Sequence, residues 1–246
     1  TKFYTDILGC KLGNREEDKW VDVDFWGNEL TLHKTDMKLP NERHDVNMGK
    51  VPIANHLLTK KEQLCLSYPL QVFLCKECKL YQLGKRLSPK KIFNNYFYHS
   101  SYSSTFLEHA EKFVKTISKD LDFSKNNFIL EIASNDGYLL KNFDKKKFKV
   151  LGVEPSTNVA NLAKKLGINT ENKFFNISTS KFIKKNYGVP KLIIANNVLA
   201  HVPNIKLFFK SIDIISSNET IISVEFPSVK NMIKFNQFDT IYHEHY

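Results

Sequence analysis

Short apolar runs alternate with amphipathic stretches through the second half of the chain. Four runs have the length and the β-branched content typical of buried strands. The predicted strands are residues 128–132, 149–153, 191–195 and 220–225. Between the runs, apolar residues recur at helical spacing. The predicted helices are residues 104–119, 137–143, 156–166, 178–186 and 204–215. Strands that alternate with helices form a parallel sheet with right-handed crossovers, so this half predicts an α/β fold.

The first half of the chain shows shorter alternating patterns, which indicate antiparallel strands. Residues 20–25 and 29–33 alternate apolar and polar positions around the turn Gly27-Asn28, and we predict a hairpin there. Before this hairpin, residues 3–8 have a helical pattern. After it, residues 36–50 are polar and predict a loop.

A second pair of short strands is predicted at residues 68–74 and 80–83. Cys75-Lys76-Glu77-Cys78 joins them as a knuckle of the kind that holds a structural zinc ion. Such a site normally has four protein ligands, and this knuckle supplies one pair. The alternative is a β-knuckle with two reduced cysteines.

The turn after the first predicted strand of the α/β half contains the residues most typical of a ligand-binding site. Ser134, Asn135, Asp136 and Gly137 supply turn residues, and Glu154 ends the next strand. That acid follows the turn at close to the roughly 20-residue spacing at which a carboxylate meets ribose hydroxyls in nucleotide-binding βαβ units. The turn lacks the three glycines of the dinucleotide fingerprint, which favours a ligand without a diphosphate, such as S-adenosylmethionine. The alternative is an ordinary βαβ unit with a polar turn.

Composition narrows the classes of function. The 246 residues include 42% hydrophobic positions, and no apolar run approaches the roughly 18 residues of a membrane span. Four cysteines in a chain of this size do not suggest a disulfide scaffold, so we expect a reducing cytoplasm. The net charge of +10 suits an anionic substrate, whereas no basic helix or aromatic platform indicates nucleic-acid binding.

Four ordered segments carry a family resemblance. They are residues 49–55 with the following 68–70 and Cys75–Cys78 stretches, residues 96–101, residues 131–137, and residues 195–201 with 238–245. Together they resemble the deoxysugar C-methyltransferases, which use S-adenosylmethionine to methylate nucleotide-linked keto sugars. The resemblance implies a Rossmann-like class I methyltransferase domain over residues 91–246, behind a small β-rich zinc-binding-type domain over residues 51–90. Residues 1–50 instead resemble part of a vicinal oxygen chelate (glyoxalase-like) domain.

The resemblance also implies roles for individual residues. His245 is expected to be the base that forms an enolate, with Tyr242 and Glu244 orienting it or polarising the ketone. Tyr98 is expected to contact the substrate, with Tyr96 as the alternative. The expected cofactor residues are Glu131, Ala133, Ser134, Asn135, Asp136, Gly137, Glu154, Pro155, Asn196 and Asn197, and the expected zinc ligands are Cys75 and Cys78.

Alternatives remain for two of these groups. Asn196 and Asn197, with His201 shortly after them, could cap the next helix. The segment from Tyr242 to His245 could be a His-rich metal-binding stretch, and if it is extended His243 and His245 share one face.

The resemblance sets an expectation for the whole protein. The family continues beyond the position of Tyr246 with two more sheet strands and a further domain, so we expect this chain to be truncated and poorly active as given. The preferred function is C-methylation of a nucleoside-diphosphate keto-deoxysugar. The alternatives are methylation of another small-molecule acceptor and a non-catalytic fusion fragment.

Overall fold

The computed structural model contains two compact units, residues 1–43 and 44–246. The residues that the structure describes are 11–16, 20–25, 28–33, 45–54, 66–75, 77, 80–93, 96, 98–124, 126–235, 237 and 241–246. Within them, no helix is both long enough and apolar enough to cross a membrane.

The first unit is a three-stranded antiparallel sheet. Its strands are β1 (Lys11–Glu16), β2 (Trp20–Phe25) and β3 (Asn28–His33), in the order β1-β2-β3. The predicted hairpin is confirmed, since Trp20 pairs with His33 and Phe25 with Asn28. The pattern missed β1, and the predicted helix at residues 3–8 lies outside the described residues.

The second unit begins with another three-stranded antiparallel sheet. Its strands are β4 (Asp45–Pro52), β5 (Ser67–Leu74) and β6 (Tyr81–Leu83), in the order β4-β5-β6. The predicted loop at residues 36–50 is wrong for residues 45–50, which belong to β4. The sequence pattern did not identify this strand. Its pairing with β5 shifts register between Asn47 and Lys50, where Gly49 has a φ of 77°. Such an irregularity removes the simple alternation that identifies a strand.

The small sheet packs against the end of the chain. Leu70, Val72 and Leu83 form one buried cluster with Ile241. His243 is fully buried, and its Nε2 lies 3.2 Å from the carbonyl oxygen of Pro69. These contacts fix the position from which residues 242–246 reach the central sheet.

The central sheet is parallel and has five strands in the order β11-β10-β7-β8-β9. The strands are β7 (Phe128–Ile132), β8 (Lys149–Val153), β9 (Thr170–Glu171), β10 (Leu192–Asn196) and β11 (Ile221–Glu225). The four predicted strands are confirmed to within one residue at each end, and the two-residue β9 was too short for its pattern to be recognised. Every residue of β7 and β10 is buried, as expected for a sheet covered on both faces.

Helices α1 to α6 complete the second unit. They are α1 (Pro89–Phe93), α2 (Ser104–Asp120), α3 (Thr157–Lys165), α4 (Ile177–Tyr187), α5 (Ile205–Ile215) and α6 (Val229–Lys234). The predictions for α2, α3, α4 and α5 are confirmed within two residues. Asn176 and Asn204 cap α4 and α5, because each side-chain Oδ1 accepts a hydrogen bond from a backbone N–H in the first turn.

The helix predicted at residues 137–143 is wrong. The segment forms turns and a short 3-10 helix, Leu140–Asn142. Gly137 has a φ of 80°, and the Asn142 side-chain amide donates to the carbonyl oxygens of Tyr138 and Leu139. This local bonding of the Asn142 side chain competes with the hydrogen bonds of an α-helix.

The strand order locates the functional end of the sheet. β7 lies in the centre, and the chain passes to β8 on one side and to β10 on the other. In open parallel sheets, ligands bind beyond the carboxyl ends of the strands at such a reversal. The predicted cofactor residues after β7, β8 and β10 are therefore brought to one place.

We predict that Gly152→Ala destabilises the fold. A Cβ at Gly152 would lie 2.3 Å from the Ser134 Oγ and 2.9 Å from its Cβ. Ser134 is fully buried and cannot move away, so the free energy of unfolding should fall by about 1–3 kcal/mol, as in other overpacked cores. Urea denaturation measures this change. Lys181→Ala on the exposed face of α4 is the control, and equal stability of the two variants would contradict the close packing of the turn on β8.

Candidate functional site

A cavity of about 560 Å³ opens at the carboxyl ends of β7, β8 and β10. Its size is that of ordinary small-molecule sites, roughly 300–1,000 Å³. Aromatic and aliphatic side chains form most of the wall, with a few polar groups between them. The predicted site residues on this wall are Tyr98, Ala133, Asn135, Glu154, Pro155, Asn196 and Asn197.

The Glu154 carboxylate is held by two backbone groups. Its Oε1 accepts a hydrogen bond from the Ser156 N–H at 2.8 Å, and its Oε2 accepts one from the Asn135 N–H at 3.0 Å. Burial raises the pKa of Glu154, while these two hydrogen bonds oppose the rise. Each carboxylate oxygen can accept a further bond, so this group can still receive two hydroxyl donors from the cavity.

Two more acids lie directly behind Glu154. Glu131 and Asp136 are 2% and 3% exposed. Burial raises the pKa of Glu131 well above its usual value, and the negative charges of Glu154 and Asp136 raise it further. The Glu131 Oε2 and Asp136 Oδ1 atoms are buried without a hydrogen-bond partner among the described residues, as is the Asn196 Oδ1. Unpaired buried acceptors are costly, so hydrogen-bond donors of a ligand would be favoured here, and of these three residues Asn196 is the one on the cavity wall.

The turns at the strand ends adopt left-handed backbone conformations. Ala133, Asn135 and Asn197 have φ values of 53°, 49° and 55°. For a residue with a Cβ this conformation costs about 1–2 kcal/mol. A glycine would adopt this conformation without that cost, so the turn holds Ala133 under strain. These conformations turn the backbone sharply at the point where the cavity begins.

The paired asparagines after β10 do not cap a helix, so that alternative is wrong. Asn204 caps the following helix, α5. Asn196 is buried on the cavity wall, whereas the Asn197 side-chain amide donates to the Glu225 Oε1 at 3.1 Å. The Asn197 N–H also donates to the Glu225 carbonyl oxygen, which ties the end of β10 to the end of β11.

Both candidate tyrosines face the cavity. The Tyr96 hydroxyl donates to the Glu244 Oε2 at 3.1 Å, and the Tyr96 and Tyr98 rings are 6.3 Å apart. Burial, followed by the negative charge of Glu244, raises the pKa of Tyr96. Tyr96 therefore links the cavity wall to the predicted catalytic segment.

The predicted catalytic residues Tyr242, Glu244 and His245 lie on a tight turn. The His245 N–H donates to the Tyr242 carbonyl oxygen, and the two rings are 5.0 Å apart. The extended conformation considered for this segment is therefore wrong, and His243 turns away into the small sheet because its ring fills a fully buried site there.

His201 is a cavity residue to which the sequence assigned no role. Its ring lies 4.7 Å from the His245 ring, and its Nδ1 is 3.0 Å from the Glu244 carbonyl oxygen. A carbonyl oxygen only accepts, so the Nδ1 carries the proton and the Nε2 keeps its lone pair. Burial, followed by the nearby His245, lowers the pKa of His201 to about 4, which keeps the ring neutral at neutral pH. Only its position shortly after a strand end hinted at this role.

The zinc prediction is not settled by the structure. Cys75 is half-buried, and its N–H donates to the Leu80 carbonyl oxygen across the predicted knuckle. Cys78 lies outside the described residues. Among the residues that are described, no group of three or more His, Cys, Asp or Glu side chains could hold a metal ion.

Comparisons with known proteins agree with this architecture. A family described as "Putative zinc binding domain" matches residues 38–93. The C-methyltransferase NovU of Streptomyces niveus is 28% identical over 203 residues, which are 82% of this chain and 48% of NovU. The chain thus spans about half the length of this curated relative. The first match begins at residue 38 and so overlaps the end of the segment 1–50, whose glyoxalase-like resemblance stays a prediction.

Solved structures show a partial likeness. The plantazolicin methyltransferase BpumL in complex with SAH is 18% identical, with a TM-score of 0.44 over 57% of this chain and 58% of that chain. Streptomyces venezuelae DesVI is 16% identical, with a TM-score of 0.40 over 51% of this chain and 56% of that chain. A family described as "Methyltransferase domain" matches residues 103–246, which contain the whole central sheet and most of the cavity. Because this match covers more than half of the chain, the protein belongs to the methyltransferase-domain family.

Proposed function

We propose that the cavity binds S-adenosylmethionine and that the protein methylates a carbon atom of a nucleoside-diphosphate keto-deoxysugar. The observation that carries this proposal is the division of the site into two chemically different parts. Buried acids with unpaired acceptors lie behind one wall, and tyrosines with a neutral histidine lie on another. The C-methyltransferase activity in the name of NovU supports transfer to carbon.

The acidic part matches the cofactor. Glu154 would accept hydrogen bonds from the ribose hydroxyls through the lone pairs that its backbone partners leave. The unpaired oxygens of Asp136 and Asn196 would receive donors such as an ammonium group. When bound, S-adenosylmethionine supplies an electrophilic methyl group on a positively charged sulfur.

The aromatic part matches a ketone acceptor. His245 would remove the proton from the carbon next to the ketone, and the electrons of that C–H bond would move onto the ketone oxygen as an enolate. Tyr242 and Glu244 would orient the base or polarise the ketone. The low pKa of His201 keeps this neighbour uncharged, so it does not repel the proton that His245 acquires.

We predict that Glu154→Gln weakens the binding of S-adenosylhomocysteine by about 10- to 100-fold, the usual effect of losing hydrogen bonds to a charged group. Isothermal titration calorimetry on the purified chain measures the affinity. Glu219→Gln is the matched control, because Glu219 is exposed on a surface turn. Affinities of the two variants within about 2-fold of each other would exclude Glu154 from the cofactor site.

A second prediction concerns the pH dependence of stability. The folded protein has a raised pKa at Glu131, so it keeps a proton that the unfolded chain releases above the usual value of 4.5. This group therefore destabilises the fold as the pH rises from 4.5 through the raised pKa. His201 has the opposite effect. Because its pKa is lowered from 6.5 to about 4 on folding, it makes the fold more stable as the pH rises between these two values. The difference in stability between the wild type and Glu131→Gln therefore reports the contribution of Glu131 alone, since His201 contributes equally to both proteins.

We expect Glu131→Gln to gain stability relative to the wild type as the pH rises from 4.5. Urea midpoints recorded across the pH range measure this difference, and S-adenosylhomocysteine should reduce it if its ammonium group lies near the acids. A difference that stays constant with pH would show that Glu131 is ionised to the same extent in the folded and unfolded states.

A third prediction assigns the base. His245→Asn should lower methyl transfer by about 100-fold or more, the range for losing a general base, while S-adenosylhomocysteine still binds. Formation of S-adenosylhomocysteine with a nucleoside-diphosphate keto-deoxysugar measures turnover. Loss of deuterium from the acceptor α-carbon measures proton removal by itself. Lys210→Asn, on an exposed part of α5, is the control. Deuterium loss within a few-fold of the wild type would identify another residue as the base.

A further inference from the structure

We propose that Asn135 and Asn158 are positioning residues that place the tyrosine wall of the cavity relative to the cofactor turn. The inference rests on the proposed function, because it concerns how the two parts of that site are held together. The tyrosine segment is defined as Tyr96 together with residues 98–101. Tyr96, Tyr98 and Ser100 of this segment line the cavity, and Tyr96 also bonds Glu244 in the predicted catalytic turn of residues 242–245.

Asn158 holds one end of the tyrosine segment. It lies in the first turn of α3, where its Nδ2 donates to the Tyr96 carbonyl oxygen at 2.7 Å. Its Oδ1 accepts from the Tyr96 N–H at 3.4 Å. One side-chain amide thus bonds both backbone groups of a single residue, as a neighbouring strand would. On the other side, the Tyr96 hydroxyl reaches Glu244, so the orientation of the phenol is set from both ends.

Asn135 holds the other end. Its Oδ1 accepts from the Ser100 N–H at 3.0 Å, and its Nδ2 donates to the Tyr98 carbonyl oxygen at 3.3 Å. The next residue, Asp136, accepts from the Ser101 N–H through its Oδ2. The side chain of Asn135 therefore bonds the tyrosine segment, while its backbone N–H donates to Glu154.

Both asparagines lie next to the bonds that hold Glu154. Glu154 accepts from the backbone of Asn135 on one side and from Ser156, at the N-terminal end of α3, on the other. Ser156 in turn donates through its Oγ to the Phe93 carbonyl oxygen. Asn158 follows Ser156 by two residues, so the helix start that bonds Glu154 also carries the side chain that holds Tyr96. The turn after β7 and the tyrosine wall are thus attached to the same surroundings of Glu154.

Hydrogen exchange of the purified chain tests this assignment. In Asn158→Ala, peptides covering residues 96–102 should exchange about 10-fold faster or more than in the wild type, because two hydrogen bonds are lost. The affinity for S-adenosylhomocysteine should change by less than about 3-fold, since Glu154 keeps its own partners. The matched control is Asn186→Ala on α4, where the side-chain amide also donates to a backbone carbonyl oxygen.

An optical measurement separates positioning from a general loss of structure. Tyrosinate absorbance is titrated in the wild type and in Asn158→Ala, each with and without Tyr96→Phe, so that the difference reports Tyr96. Burial and Glu244 raise the pKa of this phenol, and releasing the segment should bring it back towards its usual value of 10.0. Asn158→Leu, which has a similar size and can form neither hydrogen bond, should give the same change if Asn158→Ala does not fold.

The outcomes distinguish the two proposals. If S-adenosylhomocysteine fails to bind the wild type, the proposed function falls, whereas faster exchange at residues 96–102 in Asn158→Ala would still support the positioning role. If the ligand binds but exchange at residues 96–102 and the Tyr96 titration are unchanged in the Asn158 variants, the positioning role is excluded. An equal effect of Asn186→Ala on this segment would also exclude it.

Discussion

The site depends on the pairing of one buried carboxylate with two backbone N–H groups. Glu154 ends β8, and its oxygens accept from Asn135 in the turn after β7 and from Ser156 before α3. Burying a carboxylate is expensive unless such bonds compensate it. The bonds make the acid tolerable in the core, and they also fix the relative positions of two loops. A carboxylate on the cavity wall thus also joins two loops of the fold.

The cavity combines opposite electrostatic requirements within a short distance. Burial, followed by the charges of Glu154 and Asp136, raises the pKa of Glu131, so this acid keeps a proton above its usual value. Beside the turn of residues 242–245, His201 stays neutral because burial and His245 oppose its protonation. The Tyr96 hydroxyl donates to Glu244 in that turn, and Asn158 holds the Tyr96 backbone from α3. Burial thus favours the neutral form of both an acid and a base near one cavity.

Sequence patterns were sufficient to predict an element where its local sequence preference and its tertiary packing favour the same structure. The strands β7, β8 and β10 are mostly apolar runs, so their burial is visible in the chain itself, and the spacing between the turn and Glu154 placed the acid on the cavity wall. Patterns failed where contacts between distant residues decide the structure. β4 is bulged, β9 has only two residues, and the segment of residues 137–143 begins with a left-handed residue and forms side-chain bonds to its own backbone. The contacts of Asn158 and His201 join residues that are distant in sequence, and no local pattern contains that information.

The anchoring of the catalytic turn has a consequence for how the protein reaches its native state. His243 contacts Pro69 across 174 residues, and the Tyr246 hydroxyl donates to the Leu87 carbonyl oxygen across 159 residues. Contacts of such long separation close large loops and form slowly compared with local ones. The central sheet and the turn after β7 can therefore assemble before residues 242–246 are in place. A nascent chain would form the Glu154 side of the cavity first and the contact between Tyr96 and Glu244 last.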